Sequence, residues 1–184
     1  MKAFKTLMET YKKNDPSVGS SAEIILTSPG IWALFFHRVS HFLYNKNIKL
    51  IARMLSMFAR WLTGIEIHPG ATIGQRLFID HGMGIVIGET AEIGNDVLIF
   101  HGVTLGGRGD EEGKRHPTIE DGVLLSAHVQ VIGNIRIGKR AKIGASAVVL
   151  QDIPEGVTAV GIPAKVVKSK EENMRQWTAD HYVI

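Results

Sequence analysis

The sequence predicts a mainly β chain of stacked triangular coils preceded by an α-helical region, and three observations lead there. Between Ile65 and about Val149 an aliphatic residue returns every six positions: Ile67, Ile73 and Ile79; Ile87, Ile93, Ile99 and Leu105; then Ile119, Leu125, Val131, Ile137, Ile143 and Val149. A companion inward series sits two positions earlier, at Ile65, Ala71, Leu77, Ile85, Ala91, Val97, Val103, Val123, Val129, Ile135, Ala141 and Ala147. The stretch before Ile65 lacks this period and carries helix start and stop signals instead. Six is neither the helical period of about 3.6 nor simple alternation; a short strand plus a tight corner is the unit that stacks at such a spacing.

Three hexads close one triangular coil, and stacked coils hydrogen-bond along the axis at about 4.8 Å per coil. Thirteen registers give a little over four coils, a parallel β-helix about 20 Å tall.

Taken in order, Met1 to Lys13 reads as a short amphipathic helix ending at Asn14-Asp15-Pro16, with Asp15 a good N-cap for a further turn. Ser28-Pro29-Gly30 opens a second helix to about Asn45, with Ile31, Leu34, Phe35, Val39 and Phe42 on its apolar face and His37, Arg38 and His41 off it. A third, roughly Ile48 to Leu62, is expected to bury Ile51, Met54, Leu55, Phe58 and Leu62 and to end at Gly64. Residues 1–63 thus form an N-terminal helical region that caps the open end of the β-helix, residues 64–167 the β-helix itself, and residues 168–184 a C-terminal tail. Gln151 to Gly156 breaks the repeat, and an extended segment follows from Val160 to Lys165.

The repeat is also interrupted twice within the β-helix. From Ile79 to Ile87 the step is eight residues, so two extra residues bulge out within Asp80-His81-Gly82-Met83-Gly84. From Leu105 to Ile119 the step is fourteen, one hexad plus eight inserted residues, which places a loop within 106–116. Loops thrown from a rigid scaffold are where binding groups concentrate. These two carry Asp80, His81, Arg115 and His116.

Composition narrows the function. The chain of 184 residues has a formal charge of +3 and no cysteine, so it has neither a disulfide framework nor a thiol nucleophile. Without a clustered basic run, nucleic acid is not an expected partner. The start lacks the apolar core of a signal peptide, and no apolar run approaches the roughly 20 residues of a membrane span, so a cytoplasmic location is expected and no membrane partner.

The motifs Asp15-Pro16-Ser17, Ser28-Pro29-Gly30, Ile67-His68-Pro69, Asp80-His81, Gly84-Ile85-Val86-Ile87-Gly88-Glu89-Thr90, Val103-Thr104-Leu105-Gly106-Gly107, Arg115-His116-Pro117 and Gly161-Ile162-Pro163-Ala164 resemble those of the serine O-acetyltransferases, hexapeptide-repeat acyltransferases that open cysteine biosynthesis. The resemblance covers about residues 14–167. It implies a left-handed β-helix and transfer of acetyl from acetyl-CoA, the co-substrate, to the hydroxyl of L-serine, with no metal required. His81 is then the general base, because an imidazole titrates near working pH and a serine hydroxyl needs a base in reach. Glu66 takes the place of the acidic residue that orients it. Asp15 and Asp80 fall on the ammonium and hydroxyl side of serine, Arg115 on its carboxylate, and His116 on substrate or the tetrahedral oxyanion. Gly106, Gly107, Ala127, Lys142 and Ala145 are the acetyl-CoA contacts, with Lys142 available to a phosphate. The resemblance further implies a homotrimer, with a hexamer as a dimer of trimers left open, and an O-acetylserine sulfhydrylase partner held through the C-terminal Ile184.

Three other readings stay open on the residues alone. One is acetylation of another hydroxyl, on homoserine or a sugar. Another is a metal-dependent carbonic anhydrase-like hydratase using His81, His101 and His116. The last is a scaffold without catalysis.

Overall fold

The computed structural model describes residues 2–15, 19–109 and 113–168. Four helices come first: α1 (Lys2–Asn14), α2 (Ser21–Thr27), α3 (Pro29–Asn45) and α4 (Lys49–Thr63). The second of these was not foreseen. Its start is a capping arrangement in which the Ser20 hydroxyl accepts the Glu23 N–H at 3.1 Å while the Glu23 carboxylate accepts the Gly19 N–H at 2.9 Å. At the far end of the region, Gly64 stops α4 in the left-handed conformation, φ 72°.

The apolar face expected for α3 is buried only at Ile31 and Leu34, and the one expected for α4 faces largely outward. On α3 the buried residues are Gly30, Ile31, Ala33, Leu34, His37 and Ser40, whereas Phe35, Val39 and Phe42 are exposed. On α4 they are Ala52, Ala59 and Thr63; Ile51, Met54, Phe58 and Leu62 face outward in the single chain. Close approach decides this, since the helices lie against the prism end through their small residues: a Cβ at Gly30 would come within 2.6 Å of Tyr11 Oη and 2.9 Å of Ile79 Cβ. The large side chains therefore form an unpartnered stripe, with Trp61 79 % exposed.

The remainder winds into a left-handed parallel β-helix with three faces. The first face stacks Glu66–Ile67, Val86–Ile87, Thr104–Gly106, Gln130–Ile132 and Val148–Val149. The second stacks Thr72–Ile73, Glu92–Ile93, Thr118–Ile119 and Arg136–Ile137. The third stacks Phe78–Ile79, Leu98–Ile99, Leu124–Leu125, Lys142–Ile143 and Thr158–Val160, with Lys165–Lys168 added antiparallel at its edge. Every other pairing is parallel and in the register that the six-residue period requires: Ile67 opposite Ile87, Ile87 opposite Leu105, Leu105 opposite Val131, Val131 opposite Val149.

Neither interruption of the repeat shifts this register. Ile93 pairs directly with Ile119, so the long insertion leaves the ladder at a corner without shifting it. The segment after Gln151, expected to break the repeat, instead carries the winding onward. Ile153 bridges Ile137, and Thr158–Val160 pairs with Lys142–Ile143.

The two inward series are the core. Their members are buried, apart from Ile73 and Ile135, which are partly so and pack against the rest. Each buried Ile, Leu or Val contributes about 1.5–3 kcal/mol of burial energy. Ala33 and Leu34 of α3 belong to the same cluster and seal its first coil. On the third face α1 lays Leu7, Met8 and Tyr11 over Phe78, with the Tyr11 and Phe78 rings edge to face at 4.7 Å.

Corners turn through left-handed residues. Arg76, His81, Asp96, His128, Arg140 and Ser146 have φ between 56° and 59°, a conformation uncommon for side chains with a Cβ.

Candidate active site

The third face meets the first at the two-residue bulge, and His81 sits there in the left-handed conformation with its side chain 73 % exposed. Its Nε2 lies 3.8 Å from Asp80 Oδ1. Beneath it along the same corner stand His101 and His128: the rings of His81 and His101 are edge to face at 6.0 Å, those of His101 and His128 at 4.9 Å. His101 Nδ1 is buried without a hydrogen-bond partner.

Glu66 is on the first strand of the first face and pairs with Arg60 of α4 at 2.9 Å. The hydrogen bond expected between Glu66 and His81 is not formed in the single chain, where the Arg60 guanidinium holds the carboxylate. Asp15 follows the last turn of α1, its N–H donating to Tyr11 O at 2.9 Å. Pro16 and Ser17 of the same motif lie outside the described residues.

A second cluster occupies the corner between the first and second faces, where the long loop returns. The Thr90 hydroxyl oxygen accepts the N–H of Arg115 at 3.0 Å and of His116 at 3.1 Å. His116 is buried at 7 % exposure with Nδ1 2.9 Å from Thr90 Oγ1. Burial first, then the positive charges of Arg115 and Lys114, push the His116 pKa below its ordinary value. Arg115 Nη2 donates to Glu89 Oε2 at 3.2 Å, and Tyr44 of α3 donates to Glu89 Oε1 at 2.8 Å. The Tyr44 hydrogen bond holds the Glu89 carboxyl below its usual range. Lys114 Nζ ties the loop down through Thr90 O at 2.7 Å and His116 O at 3.1 Å. Beside this corner is a cleft of about 320 Å³ lined by Tyr44, Thr72, Glu89, Thr90, Glu92 and Lys114.

The sequence-predicted site residues therefore fall into separate groups. Asp80 and His81 share one corner and Arg115 and His116 the next, with the width of the first face between them. Gly106 and Gly107 lie by the second cluster; a Cβ at Gly107 would come within 3.3 Å of His116 Nε2. Ala127 and Ala145 sit on the His81 side, where Ala127 O accepts the Ser146 N–H at 2.8 Å. Lys142 is on the third face, lining a cleft of about 310 Å³ with Lys13, Asn14, Arg76, Phe78 and Leu124.

Three contributors went unassigned in the sequence. Glu89 and Thr90 stand within the quoted Gly-Glu-Thr turn, and their signal was polar groups at a corner next to an insertion. Tyr44 offered none, because only packing of α3 on the prism brings it there. Among the described residues no group of three or more His, Asp or Glu is arranged to hold a metal ion.

A repeat prism with an exposed imidazole at a bulged corner and an arginine–histidine pair on a return loop defines a hexapeptide-repeat transferase. Residues 116–151 match the bacterial transferase hexapeptide (six repeats) family. The serine acetyltransferase of Bacillus licheniformis is 54 % identical over 175 residues, covering 95 % of this chain and 81 % of that protein. Among solved structures, the Neisseria gonorrhoeae serine acetyltransferase in complex with serine superposes with a TM-score of 0.87 at 42 % identity, covering 91 % of this chain and 68 % of that one. A serine acetyltransferase complex with CoA gives 0.82 at 41 % identity, covering 87 % and 66 %. The chain belongs to the serine acetyltransferase family.

Proposed function

We propose that His81 is the general base of the family's reaction in this chain, with Asp80 beside it and Arg115 and His116 as the substrate-binding pair. The reaction moves acetyl from the acetyl-CoA thioester to the hydroxyl of L-serine, giving O-acetyl-L-serine and CoA. As the serine Oγ attacks the thioester carbonyl carbon, its proton passes to His81. The tetrahedral intermediate then collapses with cleavage of the C–S bond, and the proton leaves with the departing thiolate. No covalent enzyme intermediate is needed when both substrates are held together.

The observation that carries this reading is the Asp80–His81 corner, where an exposed imidazole stands 3.8 Å from a carboxylate at the two-residue bulge. Glu66 is the orienting acid once it exchanges Arg60 for His81. Asp15 takes the serine ammonium. Arg115 offers a planar guanidinium to the serine carboxylate, a role for which Glu89 already aligns it. Gly106, Gly107, Ala127, Ala145 and Lys142 bind acetyl-CoA, with Lys142 on a phosphate.

Base and carboxylate receptor stand at different corners, so each chain carries two half-sites. A three-fold arrangement that sets one chain's His81 corner against its neighbour's Arg115 corner completes them, which supports a homotrimer. The exposed stripe of α3 and α4 would serve the pairing of two trimers. Ile184, outside the described residues, is the proposed contact to an O-acetylserine sulfhydrylase; a chain lacking it should lose that binding, and unchanged affinity would refute the contact.

CoA release from acetyl-CoA with L-serine, for wild type and His81→Ala, tests the assignment. Serine-dependent release that falls at least about a hundredfold in the variant is expected for loss of a general base. A folded variant that retains its rate removes His81 from that role. Release with L-homoserine or a galactoside in place of serine would move the acceptor assignment.

A further inference from the structure

We propose that Thr90 is the positioning residue that locks His116 in the Nε2–H tautomer, making His116 a stationary hydrogen-bond donor to the substrate and not a second base. This deepens the reading above and rests on the placement of His116 at the substrate. The donors and acceptors around a single hydroxyl decide the tautomer. Thr90 Oγ1 accepts two backbone N–H groups, from Arg115 at 3.0 Å and His116 at 3.1 Å. Those two fill its lone pairs, so its own hydrogen must go elsewhere. The remaining neighbour is His116 Nδ1, at 2.9 Å.

A second donor points at the same nitrogen. The Thr90 backbone N–H lies 3.2 Å from His116 Nδ1, and a backbone amide can only donate. Nδ1 must therefore present a lone pair, and a neutral imidazole then carries its proton on Nε2. A proton on Nδ1 would confront two donors at once. Burial, then the charges of Arg115 and Lys114 against the opposing pull of Glu89, favour the neutral ring.

The Nε2 side of the ring is kept clear by glycines. A Cβ at Gly88 would overlap the His116 ring, and one at Gly107 would crowd Nε2 at 3.3 Å. The N–H bond is thus a fixed donor whose direction the protein sets before substrate arrives, as stabilisation of a developing oxyanion or a carboxylate requires. One threonine also orders both members of the substrate pair, because the backbone of Arg115 and of His116 hang from the same oxygen.

The test uses the assembled protein with ¹⁵N-labelled histidine and long-range ¹H–¹⁵N correlation near neutral pH, alongside serine turnover. Wild type should show His116 as a single Nε2–H tautomer. Thr90→Val keeps the shape and loses the side-chain donor and acceptor, leaving only the longer backbone N–H contact at Nδ1; it should mix the tautomers and lower kcat/KM about 10- to 100-fold. Thr90→Ser should restore both, and Thr90→Ala gives the same readout should the valine variant not assemble. A His116 spectrum unchanged by loss of the hydroxyl overturns the role of Thr90, whatever the activity. A spectrum that changes while turnover does not overturns the placement of His116 at the substrate instead, and with it the catalytic part of this proposal.

Discussion

Lowering the pH should weaken this fold through one buried imidazole on α3. His37 is 5 % exposed where the helix meets the prism. Burial, reinforced by the nearby His41 and Arg38, pulls its pKa down from 6.5 to about 4. The unfolded chain takes up the proton near pH 6.5 while the folded chain refuses it until about pH 4, so between those values the unfolded state binds more protons. Stability from this group is whole above the upper value, declines as the pH falls, and is fully lost below the lower one. At about 1.36 kcal/mol per pKa unit the total comes to about 3 kcal/mol, of which about 1.4 is gone by pH 5.5. Urea denaturation at one protein concentration, at about pH 7.5 and about pH 4.5, should show wild type losing about 2.5 kcal/mol more than His37→Gln. Parallel losses in the two proteins would refute the argument, because every other titrating group is common to both.

Gly88→Ala should disable the reaction with little effect elsewhere, since the added methyl meets the His116 ring; a kcat/KM reduced about 10²- to 10³-fold in the CoA-release assay is expected, the loss of one oxyanion donor. Mixing His81→Ala chains with Arg115→Ala chains, each inactive alone, and reassembling them should regain serine-dependent CoA release, because hybrid assemblies contain some sites built from two intact corners. No recovery in reassembled hybrids would place all site residues on one chain.

The β-helix was legible because its signal is periodic: Ile67, Ile87, Leu105, Val131 and Val149 stand in one column as their spacing required. The helices were legible in their ends and only in part in their faces, Ile31 and Leu34 being the expected residues that are buried. Ser28-Pro29 and Gly64 act through local backbone chemistry, whereas which side of α4 is covered depends on how closely Ala52 and Ala59 let it approach the prism. The tail of the winding was missed for a related reason. Pro154 and Gly156 resemble a stop, yet Ile153 and Ala159 still occupy interior columns. Of the candidate site, the residues on the two insertions were legible because insertions disturb the period. Their supports were not: Tyr44 and Glu89 meet across 45 positions of chain, a contact that only the packed fold creates.

The column of imidazoles at the His81 corner bears on how such a scaffold acquires chemistry. Successive coils bring His81, His101 and His128 to one edge, yet only the first stands beside the Asp80 bulge. A winding repeat thus offers the same address on every storey, and inserting two residues at one of them distinguishes it from its copies. Position along the axis becomes a variable that selection can change by moving a bulge, while the interior columns that hold the tower together stay as they are.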